Sequence, residues 1–236
     1  MQGRERQFLY RQNLTKRVVM ADGICYTVRE EINRQEEQRM VYARDFRNAA
    51  KKTLESYWLP SIGAVLLYGL LYGAVSSTFV GLIIAGGPLA YGYYSYWLER
   101  VRWQRPDIGT LFKGFTEQFG TSIAAWLLQG LFTVLWGLLF VVPGIIKGYS
   151  YALTMFILKD YPTLDALEAI DLSRDMMDGN KWRLFCLDLS FIGWRLLCVV
   201  TLGIASLYVA PYYQAAVAQF YETVKAEYEI THPTAA

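Results

Sequence analysis

The chain has 236 residues, of which 54% are hydrophobic and 16% aromatic, with a mean hydropathy of +0.19 and a formal net charge of +2. This composition lies outside the range of ordinary soluble domains and predicts a membrane protein. The single histidine, His232, excludes a histidine-based metal centre or a Ser/His/Asp triad within the apolar region, and the charge balance does not favour nucleic acid as a partner.

The first 39 residues form a basic polar arm without a long apolar run. We expect this arm to be disordered, or to lie upstream of a true translation start at Met40. One codon choice for Gln35, Glu36 and Glu37 spells a purine-rich ribosome-binding sequence just before that methionine. Residues 40–236 would then form the membrane domain.

Six apolar segments follow the arm. An apolar helix needs about 20 residues to cross a hydrocarbon core of about 30 Å, so the stretch 122–158 is too long for one crossing. We divide it at residues 142–144, because Pro143 suits the first turn of a new helix, while a single kinked helix is the alternative. The other predicted spans are residues 57–76, 79–98, 184–202 and 204–223.

Three prolines follow a related pattern. Pro88 and Pro143 are each followed at the same distance by Tyr-Ser-Tyr, and a weaker copy begins at Pro211. We predict a hairpin turn at Pro143 and Gly144, and kinks within spans at Pro88 and Pro211. The fold class predicted is therefore an all-α, polytopic membrane bundle of six transmembrane helices in three hairpins.

A polar segment with helical periodicity precedes each hairpin, and the sequence predicts an amphipathic cytoplasmic helix there. These segments are residues 44–58, 108–120 and 163–179. In the third, Leu167, Ile170 and Met177 are predicted to share the apolar face. The connections between hairpins are rich in Lys and Arg while the tight turns are nearly uncharged, which predicts that both termini are cytoplasmic.

Three ionisable residues fall within predicted spans, namely Lys147, Asp188 and Arg195. Charges at such depth cost about 2.5–3.5 kcal/mol each, so they usually face the bundle interior or one another. Asp188 and Arg195 lie on one helix face, but about 10 Å apart along the axis, which is far for a direct salt bridge.

Two interpretations of these three charged residues are open. They form a candidate intramembrane polar site together with tyrosines that could line a cavity, Tyr94, Tyr149 and Tyr151. Alternatively they only fix packing, with Asp188 paired to a neighbouring helix, Arg195 to a carbonyl or headgroup, and Lys147 snorkelling.

The residues from "LWGLLFVVPGIIKGYSYALTMFILKDYP" through "ALEAIDLSRDMMDGNKWRLFCLDLSFIGWRLL" to "TLGIASLYVAPYYQAAVAQFY" carry a family resemblance. Over roughly residues 40–225 the chain resembles the bacterial family known as domain of unknown function 975. The resemblance implies six membrane helices and an integral position in a bacterial plasma membrane, and it brings no established activity.

The sequence favours a non-catalytic membrane protein that binds lipid, or a protein partner at the cytoplasmic face, through its amphipathic helices. The alternative is a small transporter or permeation subunit with a polar path between helices. An intramembrane enzyme is a third interpretation, but the acidic residues of 165–178 are spread around their helix rather than converging on one ion. No cofactor is expected, and the oligomeric state stays open.

Overall fold

A computed structural model describes residues 18–21, 24–27, 43–55, 57–102, 105–139, 141–201 and 203–232. The chain separates into two compact units, Met1–Tyr42 and Ala43–Ala236. In the first unit, strand β1 (Val18–Ala21) pairs antiparallel with strand β2 (Ile24–Thr27). The rest of the predicted arm, including the expected start at Met40, lies outside the described residues.

Every regular element described in the second unit is helical. The α-helices are α1 (Ala43–Leu54), α2 (Trp58–Ser76), α3 (Phe79–Val101), α4 (Lys113–Thr116), α5 (Phe119–Leu139), α6 (Val141–Ser150), α7 (Thr154–Asp160), α8 (Ala166–Met176), α9 (Lys181–Ser190), α10 (Ile192–Val200) and α11 (Ser206–Thr231), and a 3₁₀ helix (Ile108–Phe112) precedes α4.

Helix α3 lies at the centre of this unit and packs against α2, α5, α7, α11 and the 3₁₀ helix. Its second half carries the largest fully buried side chains, including Trp97, Tyr91 and Tyr96. Gly92 lies directly on the backbone of Leu111, so that a Cβ added at this position would overlap the Leu111 carbonyl group. The missing side chain at Gly92 therefore allows the 3₁₀ helix to reach α3.

The chain reverses direction between α5 and α6. These helices pack closely, and a Cβ added at Gly144 would lie only 2.6 Å from the Cα of Gly137. Pro143 is the third residue of α6, where its missing N–H leaves no hydrogen bond unmade. Pro88 and Pro211, by contrast, lie inside α3 and α11, and both helices continue past them.

The fourth predicted span is not one helix, because α6 ends at Ser150 and α7 begins at Thr154. The hydroxyl group of Ser173, on α8, occupies the break. It donates to the Ser150 carbonyl (2.9 Å) and accepts from the Leu153 N–H (3.3 Å), and all of these groups are buried. A side chain distant in sequence thus satisfies the backbone groups that the break exposes.

The fifth predicted span is also divided, at Phe191 between α9 and α10. Here the Arg47 guanidinium of α1 donates to the Ser190 carbonyl at 3.3 Å. The rings of Tyr212 and Tyr213 pack edge-on against Phe191. The prediction of one continuous helix over residues 184–202 is therefore wrong, because tertiary contacts stabilise an interruption that periodicity does not reveal.

Within the part of the chain that the structure describes, two helices are long and apolar enough to cross a membrane, Trp58–Ser76 and Phe119–Leu138. Neither is the buried core helix of a soluble domain, since Leu70 is 71% exposed and Leu131 is 59% exposed. The length and composition of these two helices thus indicate membrane association. This criterion does not confirm the predicted total of six transmembrane helices.

All three predicted amphipathic segments contain helices, but they use their apolar faces differently. Helix α1 buries Phe46 and Leu54 as it packs on α11. Helix α8 begins with a capping box between Asp165 and Glu168. It buries Ala166, Ala169, Ile170, Ser173 and Met176, whereas Leu167 is 52% exposed. Leu167 therefore lies outside the face that α8 buries, because the small residues Ala166 and Ala169 let that face approach α5 and α7.

The Gly92–Leu111 contact generates a stability prediction. Gly92→Ala should lower the free energy of unfolding by about 1–3 kcal/mol, because the added methyl group must displace backbone. Gly69→Ala is the matched control, since nothing lies within 4 Å of a Cβ at that helical position. It should leave stability unchanged or raise it by up to about 1 kcal/mol. Thermal unfolding in detergent measures both, and equal effects would contradict the packing described for α3.

Candidate functional site

Asp188 lies near the end of α9, and its carboxylate joins three helices. The Tyr149 hydroxyl of α6 donates to Oδ2 at 2.6 Å, and the Tyr213 hydroxyl of α11 donates to Oδ1 at 2.6 Å. Short hydrogen bonds to an ionised acceptor are among the stronger ones in proteins. The carboxylate is thus a connection between α6, α9 and α11, in agreement with the expectation that Asp188 would pair with a neighbouring helix.

Arg195 provides a weaker partner for the same carboxylate. Its Nη2 lies 3.5 Å from Asp188 Oδ1, its Cζ lies 5.2 Å from the centre of the Tyr213 ring, and its side chain is 56% exposed. The expectation that Asp188 and Arg195 lie too far apart for an ion pair is wrong. That expectation considered only the separation of the two residues along the helix axis. Long side chains on a helix point back toward its N-terminus, so the Arg195 side chain covers much of that distance.

A cavity of about 340 Å³ opens beside Asp188. Side chains from α3, α5, α6, α9 and α11 contribute to its wall. The polar lining residues are Tyr94, Gln129, Tyr149, Asp188, Tyr213 and Gln214. Asp188 is the one charged residue among those that line the cavity, and Ile145, Leu184 and Val217 supply apolar surface.

A second cavity, of about 360 Å³, lies next to the first. Tyr94, Gln129 and Ala152 line both cavities and so form the wall between them. The second cavity carries no ionisable acid or base among its lining residues, although Thr133 and Tyr68 contribute hydroxyl groups. Asp188 therefore marks one end of a pair of adjacent spaces within the helices.

The structure brings together four of the six residues predicted for the polar site. Asp188, Tyr149 and Arg195 are in direct contact, and Tyr94 lines the same cavity. Lys147 points elsewhere, and its Nζ lies 5.1 Å from the centre of the Trp136 ring.

Tyr151 is the other residue that the structure places outside the site, since it is buried against Phe132. Lys147 lies two residues before Tyr149 on α6, and residues two apart on a helix face nearly opposite directions, whereas Tyr151 lies in the break that follows α6. Proximity in sequence to Tyr149 therefore does not bring a side chain to the same wall.

The sequence interpretation missed three residues of the site, Tyr213, Gln129 and Gln214. A glutamine inside an apolar segment long enough to cross a membrane is itself a signal, because its amide needs polar partners there. Gln129 lies in such a segment, α5. The Gln214 Oε1 atom is buried and accepts no hydrogen bond from the described part of the chain.

A second polar cluster surrounds Asp160, the last residue of α7. Arg102 donates two hydrogen bonds to its carboxylate (2.8 and 2.6 Å), Lys225 donates one (2.6 Å), and so does the Tyr221 hydroxyl (2.9 Å). Arg102 also pairs with Glu222 at 2.8 Å. This cluster ties the end of α3 to α7 and α11.

Burial of Asp160 would by itself raise the pKa of its carboxyl group. The hydrogen bonds and positive charges of Arg102 and Lys225 outweigh that effect, so the pKa lies below its ordinary value. Because the folded-state pKa is lowered, the stabilisation is complete above the ordinary Asp pKa of about 4 and is lost as the pH falls below it. The Asp160 cluster is therefore ionised and structural at neutral pH.

The geometry around Asp188 predicts that removing one tyrosine hydroxyl group lowers the stability of the folded chain. Tyr213→Phe should lower the free energy of unfolding by about 1.5–3 kcal/mol, because it removes a hydrogen bond to a carboxylate that is mostly shielded from solvent. Tyr208→Phe is the matched control on the same helix, since Tyr208 is 41% exposed and packs through its ring. It should change stability by less than about 0.5 kcal/mol. If both variants unfold alike in detergent, Asp188 does not hold α11 as described.

Part of the chain matches a family model. The model described as "Protein of unknown function (DUF975)" matches residues 138–228, a stretch that contains Tyr149, Asp188, Arg195 and Tyr213. Neither the curated proteins nor the solved structures include a match to the chain. Residues 40–137, over which the sequence also suggested a resemblance, lie outside the matched stretch. Over residues 138–228 the chain is thus similar to the DUF975 family of proteins of unknown function, and the predicted family resemblance is confirmed there.

Proposed function

We propose that this chain is a non-catalytic, multi-pass protein of a bacterial plasma membrane that binds a small polar solute between its helices, as a small transporter or permeation subunit does. The observation that carries the proposal is the Asp188 carboxylate, which borders a cavity of about 340 Å³ inside a helical unit whose outer surface is apolar. An ionisable residue within a membrane bundle usually marks a functional site.

The outer surface supports the membrane position. Large apolar side chains point outward on α2, α5, α6 and α10, for example Leu70, Leu131, Val142 and Val199. Soluble monomers rarely expose continuous apolar surface on this scale. The stripe formed by Ile108, Phe112, Phe115 and Phe119 is also exposed, at a spacing that suits a segment lying on a lipid surface.

The proposed topology is six crossings in three hairpins, with both termini cytoplasmic. The links at 77–78, 140 and 201–205 carry no charged residue, while the segments between hairpins are rich in Lys and Arg. The Trp58 ring stacks on Tyr208 at 4.4 Å, so the first turn of α2 lies beside the first turn of α11. Six full alternating crossings do not explain this contact, because they place the starts of α2 and α11 on opposite sides of the membrane.

The contacts of the amphipathic helices favour solute binding over partner binding. If α1 and α8 bound a protein partner through their apolar faces, those faces would have to be open. Instead α1 is covered by α11, and α8 packs against α5 and α7. The polar space that stays open lies between the helices, next to Asp188, rather than on the amphipathic segments.

Cysteine labelling tests whether water and solute reach this space. In a chain whose Cys25, Cys186 and Cys198 are changed to serine, Ala152→Cys places a thiol on the wall shared by both cavities. Ala125→Cys is the control, since Ala125 is fully buried and lines neither cavity. A small water-soluble thiol reagent should modify the residue 152 thiol about ten-fold faster, because thiol reactivity depends on exposure. Equally slow modification of both thiols would contradict the proposal.

A further inference from the structure

We infer that the Asp188 cavity binds an organic cation, a primary amine or guanidinium group with a short apolar tail, and that Arg195 is the resident cation which this ligand replaces. The inference rests on the proposed function, because it names the class of solute for the same cavity. Four features of the described residues carry it.

The first feature is the charge of the wall. Asp188 is the one acidic residue among the described residues that line the cavity, and no lysine or arginine lines it with Asp188. A cavity whose wall carries a single carboxylate favours a cationic ligand, because that wall gives the space a negative electrostatic potential. An anionic solute would face repulsion from Asp188, and the Arg195 guanidinium, which does not line the cavity, already pairs with that carboxylate.

The second feature is a surplus of acceptors. The two tyrosine hydroxyls that face Asp188 already donate to it. The Gln214 Oε1 atom is buried, lines the same cavity and accepts no hydrogen bond from a described residue. An ammonium or guanidinium group supplies the N–H donors that this oxygen and the carboxylate accept.

The third feature is the set of aromatic rings in the cavity wall. Tyr94, Tyr149 and Tyr213 contribute to the wall, and the faces of aromatic rings attract cations. Next to these rings the cavity offers Ile145, Leu184 and Val217, which suit a short hydrocarbon tail. The combination favours an organic cation over a bare metal ion, which would need several converging oxygen ligands.

The fourth feature is the position of Arg195. Its guanidinium already makes the contacts expected of the ligand, 3.5 Å from the Asp188 carboxylate and 5.2 Å from the Tyr213 ring centre. Yet this ion pair, at 3.5 Å, is longer than the distance of about 2.7–2.9 Å typical of a charge-assisted hydrogen bond and is therefore weak. A ligand cation that enters the cavity therefore competes with Arg195 for Asp188 on favourable terms.

Calorimetric titration of the purified full chain in an uncharged maltoside detergent tests the inference with two probes of the same shape. Butylguanidinium is cationic, and butylurea is its neutral counterpart. We expect butylguanidinium to bind about ten-fold more tightly or better, because its guanidinium group forms charge-assisted hydrogen bonds with the Asp188 carboxylate that the neutral urea cannot form. Equal binding of both probes would overturn the cation inference and leave solute binding intact, whereas binding of neither would overturn the proposed function as well.

Three variants test which residues cause the preference for butylguanidinium over butylurea. Asp188→Asn should abolish the preference for butylguanidinium. Asp171→Asn makes the same change in net charge at a 61% exposed side chain on α8 and should preserve the preference. Arg195→Gln should tighten butylguanidinium binding several-fold, because the resident competitor is gone. Weaker binding by Arg195→Gln, or an unchanged preference in Asp188→Asn, would contradict the inference.

Discussion

The apolar outer surface of α2 and α5 is the constraint on which the rest of the structure depends. Side chains such as Leu70 and Leu131 face outward along helices of 19 and 21 residues. In water this surface would drive association, while in lipid it needs no cover. Once lipid is the surrounding medium, every polar group between the helices must find its partner inside the protein or in an enclosed aqueous space.

The polar interior follows from that constraint. An unpaired carboxylate in such a bundle would cost several kcal/mol, so Asp188 needs donors, and Tyr149 and Tyr213 supply them from two further helices. The same requirement explains the two helix interruptions, where Ser173 and Arg47 take up the backbone groups left free. The two adjacent cavities, one of them beside Asp188, are features of the described interior that packing alone does not require.

The sequence predicted local features well and tertiary ones poorly. Apolar length and proline position indicated the helices around α2, α5 and the turn at Pro143, because these depend on neighbouring residues. The breaks at 151–153 and Phe191 depend on Ser173 and Arg47, which are distant in sequence. Asp188 was found from its charge alone, whereas Tyr213 and Gln214 became site residues only through the orientation of α11, which periodicity does not specify.

Spin-label accessibility in lipid bilayers tests the membrane position of the helical unit most directly. Labels at positions 70 and 131, on α2 and α5, should be accessible to oxygen and shielded from a water-soluble nickel complex. A label at position 178, where the Asp178 side chain is 88% exposed, should show the reverse. If the labels at 70 and 131 meet the nickel complex as readily as the label at 178, the helices do not lie in lipid, and the account of an apolar exterior around a polar interior fails.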